Sequence, residues 1–208
     1  MIAPWIQFMD YVLPDVPGCP IPAANIAIRQ ATIAFCEQSL AYKATHPDIA
    51  VVAGTAEYDF VPPDETVVHV ITYAAFNGDE LQSRVGEYGI SNPDWRSEEG
   101  TPKYIFGGMT SLMLIPAPDV DGTLIMTVAL KPSPDATGID GSIFNEFREA
   151  IIHGALSRLM LSPKKPYSNP SLATYHNQQF TIMTGQAGTR TARSFTRAPL
   201  QTSILRRG

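Results

Sequence analysis

Along the C-terminal half of the chain, Phe144, Phe147, Ile151, Ala155 and Leu159 recur at three- and four-residue intervals, while Glu146, Glu149, His153 and Ser157 fall together elsewhere. That spacing predicts an amphipathic helix over 143–161 with a definite inner face. Asp140 or Ser142 supplies its cap, and Ser162 before Pro163 stops it, since a residue preceding proline resists the helical conformation. Asn169 and Pro170 then offer a cap and a first-turn proline for a second helix, which carries Leu172, Tyr175, Phe180 and Met183 and ends near Gly185. A third helix is predicted nearer the N-terminus, from 23 to about 43, with Pro22 in its first turn and His46 and Pro47 as its later boundary. Its apolar residues make two stripes rather than one. Ile26, Ile33 and Leu40 share a side, with Cys36 nearby; Ile28, Phe35 and Tyr42 lie almost opposite. A helix with two apolar sides is either sandwiched in its own domain or packs one side on a neighbouring subunit, so Ile28, Phe35 and Tyr42 are candidates for a contact between subunits.

Between 49 and 132 the period changes from helical to two. Strands are predicted at 57–60, 66–73, 80–85, 103–106, 111–115 and 123–130. Asn77 and Gly78 form a strong hairpin signal, and Leu124, Met126, Val128 and Leu130 face one way in the last strand. The segment 86–101 reads as an exposed loop in which Trp95 is either a contact residue or folded back on the sheet. Met1 and the residues up to 20 read as an irregular arm, because Trp5, Phe8, Tyr11 and Leu13 are separated by proline and aspartate. The expected fold is therefore α+β: a helical bundle of one N-terminal helix and a C-terminal helix pair, with an inserted small antiparallel β-sheet or sandwich and an extended C-terminal arm. The expected divisions are an N-terminal arm over 1–20, a helical core over 21–48 and 140–186, an inserted β region over 49–139 and a basic arm over 187–208.

Charge changes the picture at the C-terminal end. All 20 acidic side chains and seven of the 15 basic ones lie in residues 1–149, a balance of −13; residues 150–208 hold eight basic residues and no acid, a balance of +8. An acidic body carrying a basic end is either a body with a solvated tail or one whose basic end has a partner, an acidic protein surface or nucleic acid. The segment 187–208 has Arg190, Arg193, Arg197, Arg206 and Arg207, with Phe195, Leu200, Ile204 and Leu205 as its larger apolar residues, and cannot bury a core of its own. No folded nucleic-acid module accompanies it, and the acidic body would repel a duplex, so docking on a protein is favoured: the planar arginine fork suits carboxylates and its stem covers apolar surface.

The remaining composition points away from chemistry. With 208 residues and 44% hydrophobic composition the chain has enough apolar material for a sizeable core. Met1 onward has no basic n-region, and no run approaches a membrane span, so a cytoplasmic origin is expected. Cys19 and Cys36 are too few for a disulfide framework, and Cys36 reads as a buried thiol. His46, His69, His153 and His176 are scattered without metal-ligand spacing, and His153 reads as a surface partner of Glu149 one turn away. There is no phosphate-binding glycine loop and no nucleophile elbow. Neither an enzyme nor a cofactor is expected.

The order of these elements carries a resemblance. The run Val12-Leu13-Pro14-Asp15-Val16-Pro17-Gly18-Cys19-Pro20, followed by a helix with Ala31-Thr32-Ile33-Ala34-Phe35-Cys36-Glu37, resembles the beginning of tailed-phage head-to-tail adaptor, or connector, proteins. Gly100-Thr101-Pro102-Lys103-Tyr104 and Leu114-Ile115-Pro116-Ala117-Pro118-Asp119 are similar to that family's middle strands, and Glu149 to Met160 to its long helix. The resemblance covers most of 11–183. It implies a structural virion protein at the head-tail junction, made in the host cytoplasm, that forms a ring of about twelve copies between the portal and the tail and extends the DNA channel without reading sequence. Its partners would be the portal protein, neighbouring copies of itself and a tail protein. By analogy with the terminal extensions of that family, Arg190, Arg193, Phe195, Arg197, Leu200, Arg206 and Arg207 form the expected portal-docking arm. The competing reading is a tail-associated protein whose β region binds a surface ligand.

Overall fold

The computed structural model describes residues 1–83 and 98–196. Within it the chain forms two compact units, one built from Met1–Ala41 and the chain from Pro134 onward, the other from Tyr42–Ser133. The fold is α+β, as the periodicities predict. Trp95, Arg197, Leu200, Arg206 and Arg207 lie outside the described residues.

The first unit is a bundle of three long helices with a short one in front: α1 (Ile6–Val12), α2 (Ile21–Ser39), α3 (Gly141–Met160) and α4 (Pro170–Ala192). Asp140 caps α3, its carboxylate accepting from the Ser142 amide at 2.8 Å, and Asn169 caps α4 by accepting from the Leu172 amide at 3.2 Å. α3 packs on both α2 and α4, which also touch each other. Ile151, Ala155 and Leu159 are buried on it as the spacing predicts, but so are Gly154, Leu156 and Ser157. Ser157 was expected on the polar face. A central helix must meet two neighbours at once, so one stripe does not describe it, and the Ser157 hydroxyl donates to the Gly154 carbonyl at 2.8 Å instead of to water.

The first twenty residues are more ordered than an irregular arm. The strand Ile2–Pro4 pairs antiparallel with Gly138–Asp140, and the Trp5 indole N–H donates to the Ala136 carbonyl at 2.7 Å. α1 buries Phe8, Met9 and Val12, one side of a two-turn helix, and the Phe8 ring stands edge-on to Phe144 at 4.8 Å. A 3-10 turn, Leu13–Asp15, follows. Proline and aspartate punctuate this stretch without removing its short helical period.

α2 stops earlier than predicted, at Ser39, where Leu40 turns left-handed with φ 51°. Neither glycine nor asparagine marks that turn. The reason for it lies downstream: Lys43–Thr45 is taken as an edge strand by Thr127, Val128 and Ala129.

In the second unit the strand Gly122–Pro132 is the spine. It pairs antiparallel with Thr66–Phe76 on one edge and with Lys43–Thr45 and Ile49–Val51 on the other. Leu124, Met126, Val128 and Leu130 are fully buried, as their alternation predicts, and share one core with Leu112, Leu114 and Ile105 from a second sheet. That second sheet runs Glu57–Asp59, Ser111–Ile115, Tyr104–Gly107 and Gln82–Ser83, the last pairing being parallel. Asn77 and Gly78 both have positive φ, 50° and 96°, as a tight hairpin turn demands, and Asn77 also accepts from the Thr123 amide at 2.9 Å. His46 is buried with both ring nitrogens engaged. The Val61 amide donates to its Nε2 at 2.8 Å, which leaves Nδ1 to carry the proton and donate to the Pro47 carbonyl at 2.7 Å.

Candidate functional site

The basic end begins on a helix, not on a free arm. α4 runs through Gly185 and Gly188 to Ala192, beyond the predicted stop. Gly188 lies beside Ser39 of α2, where a Cβ would stand 3.6 Å from the Ser39 Cα, in ordinary contact; the helix continues past it because Ala187 and Thr191 are buried on its inner side. Arg190 therefore projects from α4 in a fixed place. Its Nη1 lies 2.5 Å from Glu146 Oε1 on α3, and its guanidinium covers the rings of Phe147 at 5.9 Å and Phe195 at 5.2 Å. Both ends of the ion pair are about half exposed, so its contribution to stability is within ~1 kcal/mol; its consequence is orientation. Arg193 closes α4, and Arg193 and Phe195 are exposed.

Two of the candidates for a subunit contact lie inside the subunit. Ile28 and Phe35 are both 0% exposed, because that side of α2 faces α3, where Phe35 meets Phe147 at 5.1 Å. Tyr42 is half-buried against the core of the β unit. The opposite stripe is the open one. Ile26 is 56% exposed, and Ile33 and Leu40 are half-buried.

α4 presents a second open surface that the sequence reading passed over. Its buried residues Ala173, Phe180, Thr184, Ala187 and Thr191 hold one side, and Tyr175 and Ile182, two turns apart, stand exposed on the other. From 166 to 189 the chain has no aspartate, glutamate, lysine or arginine. An exposed helix of amides, hydroxyls and apolar side chains lacks the charges that usually solvate such a face. The signal is visible in the sequence as a gap in charge, not as a motif.

The fold also brings two histidines together. His153 does not sit on a solvated face beside Glu149: it is half-buried, with Nδ1 2.7 Å from Nδ1 of His176 on α4. Burial lowers the pKa of both rings, against the opposing pull of Asp15 on each and of Glu149 on His153. Burial and the neighbouring Glu37 push the Cys36 thiol up to about 12. Among the described residues no three histidines, cysteines or carboxylates converge as a metal site would require, and no helix is long and apolar enough to cross a membrane.

A search of curated proteins returned no match. A family model described as SU10 adaptor protein matches residues 6–203, nearly the whole chain. The order of helix, β insertion and helix pair was the basis of the resemblance to phage connectors, and the match spans all three parts. The chain belongs to the SU10 adaptor protein family, whose members are structural proteins of the phage head-tail junction.

Proposed function

We propose that this protein is the ring-forming adaptor between portal and tail, a non-enzymatic virion component whose copies surround and extend the DNA channel, about twelve of them by family resemblance. The observation that carries the reading is the division of charge at α3: the last acidic residue, Glu149, lies on that helix, and everything after it is neutral or basic. α4 gives the basic end a rigid base, since Arg190 is clipped to Glu146 and the chain leaves the helix at Arg193. Arg193, Phe195 and the residues beyond are then the portal-docking arm, with the arginines setting orientation and association rate more than raw affinity. Neighbouring copies meet through the open stripe of α2 at Ile26 and the uncharged side of α4 at Tyr175 and Ile182, where each large apolar side chain fully buried contributes ~1.5 to 3 kcal/mol. DNA passes through without sequence recognition.

Removal of residues 194–208 tests the arm, because it leaves the Arg190 and Glu146 pair in place. Co-purification with the portal protein is expected to fall at least tenfold and to weaken with added salt in the full-length protein. Unchanged capture by the truncated protein would refute the arm assignment. Images of the assembled junction showing a single copy, or none around the channel, would refute the ring.

A further inference from the structure

We propose that the contact between His153 and His176 is a pH-operated latch, which holds the first two turns of α4 to α3 while at most one ring is protonated and releases them when both are.

The geometry limits the pair to a small set of protonation states. The two Nδ1 atoms are 2.7 Å apart and the ring centroids 5.0 Å, with Tyr175 standing edge-on to both rings at 6.1 and 5.3 Å. A nitrogen-to-nitrogen hydrogen bond needs one N–H and one lone pair, so only one of the two Nδ1 atoms carries hydrogen while the contact lasts. In the neutral pair one imidazole holds its proton on Nδ1 and the other on Nε2. A first added proton goes to the free Nε2 of the donor ring and leaves the bond in place, now charge-assisted. A second has only the acceptor Nδ1 left. It removes the lone pair that made the bond and sets two N–H groups, on two cations, against each other.

The surroundings sharpen this. Glu149, one turn before His153 on α3, and Asp15, from the turn after α1, are the carboxylates acting on the pair, and Tyr175 is the titratable neighbour on α4. Two carboxylates near two half-buried rings favour the first proton, and ring-to-ring repulsion opposes the second. The position decides what moves. His176 lies in the second turn of α4, just after the elbow 161–169, whereas the rest of α4 is held by its buried side chains Phe180, Thr184, Ala187 and Thr191. Release is therefore confined to the start of α4.

Nitrogen-resolved NMR of the imidazoles in the full-length protein, from pH 7.5 to 4.5, tests the latch together with amide hydrogen exchange. Two protonation steps are expected, the second at least about one pH unit below the first. Exchange at 172–178 should accelerate at least tenfold across the second step while 184–191 hold their rates. His176→Asn and His153→Asn should each leave the other ring of the pair titrating in a single step, with no pH-linked acceleration at 172–178; either variant is sufficient. If both rings of the parent protein titrate together at one midpoint, or if the acceleration is absent, or if it persists in a folded variant, the latch does not exist.

Discussion

The Phe180 ring of α4 lies against the bare Cα of Gly154 on α3: a Cβ built at 154 would stand 2.8 Å from the ring and 3.0 Å from the Cβ of Ala31 on α2. The three long helices therefore meet at one residue, and that residue has no side chain. Gly154→Ala should destabilise the protein by about 1 to 3 kcal/mol through overpacking, less the up to ~1 kcal/mol that alanine returns in helix propensity. Urea denaturation reads the difference. Phe180→Ala should cost about 3 to 5 kcal/mol alone. Combined with Gly154→Ala the sum should fall short of additive, since the emptied ring site receives the new methyl.

Thr184 offers the opposite sign. It is buried on the inner side of α4, and its hydroxyl finds no hydrogen-bond partner among the described residues. Thr184→Val keeps the shape and removes the unsatisfied group, so it should be neutral or stabilising by about 1 kcal/mol. Thr191, also buried, donates to the Ala187 carbonyl at 2.9 Å, and its valine variant should show no such gain.

Stability should depend on pH in two windows. The His153 and His176 rings both have folded pKa values below the ordinary 6.5, so the unfolded chain takes up protons first and stability is full above about pH 6.5, then declines as the pH falls towards the folded values. Asp140 is displaced downward from 3.8, first by the Ser142 hydroxyl it accepts and then by the Ser142 amide and the chain's N-terminal ammonium, against some burial. Its contribution is present above 3.8 and is lost as the pH falls through its lower folded value. Denaturation midpoints between pH 8 and 3 should show both declines. Asp140→Asn should flatten only the acidic one.

Thiol chemistry should separate the two cysteines. Cys36 is fully buried on α2, with its pKa at about 12, while Cys19 is half-buried beside Pro20. A disulfide reagent at pH 8 should label one thiol per chain in the native protein and two in denaturant. Cys19→Ser should abolish the native reaction, and labelling of Cys36 in that folded variant would contradict the buried placement.

Where local period decides structure, the sequence was legible: the alternation from Leu124 to Leu130, the turn at Asn77 and Gly78, and the caps at Asp140 and Asn169 all stand in the fold as read. Tertiary demands explain the departures. α2 ends at Ser39 because the chain beyond it is claimed as a strand, and α4 continues through Gly185 and Gly188 because Thr184, Ala187 and Thr191 keep its inner side buried. The side of α2 that packs at home was not deducible from two similar stripes; only the position of α3 distinguishes Ile28 and Phe35 from Ile26. His153 and His176 are 23 residues apart and share no motif, so nothing local announces their contact. Of the basic C-terminal end, the sequence conveyed its charge but not that Arg190 stands on a helix.

The division of the helical unit between the two ends of the chain sets a timetable for synthesis. Ile2–Pro4 has its strand partner at Gly138–Asp140, and Phe35 has its ring partner at Phe147, so α2 leaves the ribosome with its apolar side uncovered. The contiguous β unit of about 90 residues comes next, which at ~5 to 20 residues per second means a wait of roughly 5 to 20 s. The β unit is complete before α3 emerges. A helix side that is fully buried in the finished unit is thus uncovered throughout that interval, and the nascent chain has to be kept from aggregating through it until α3 arrives.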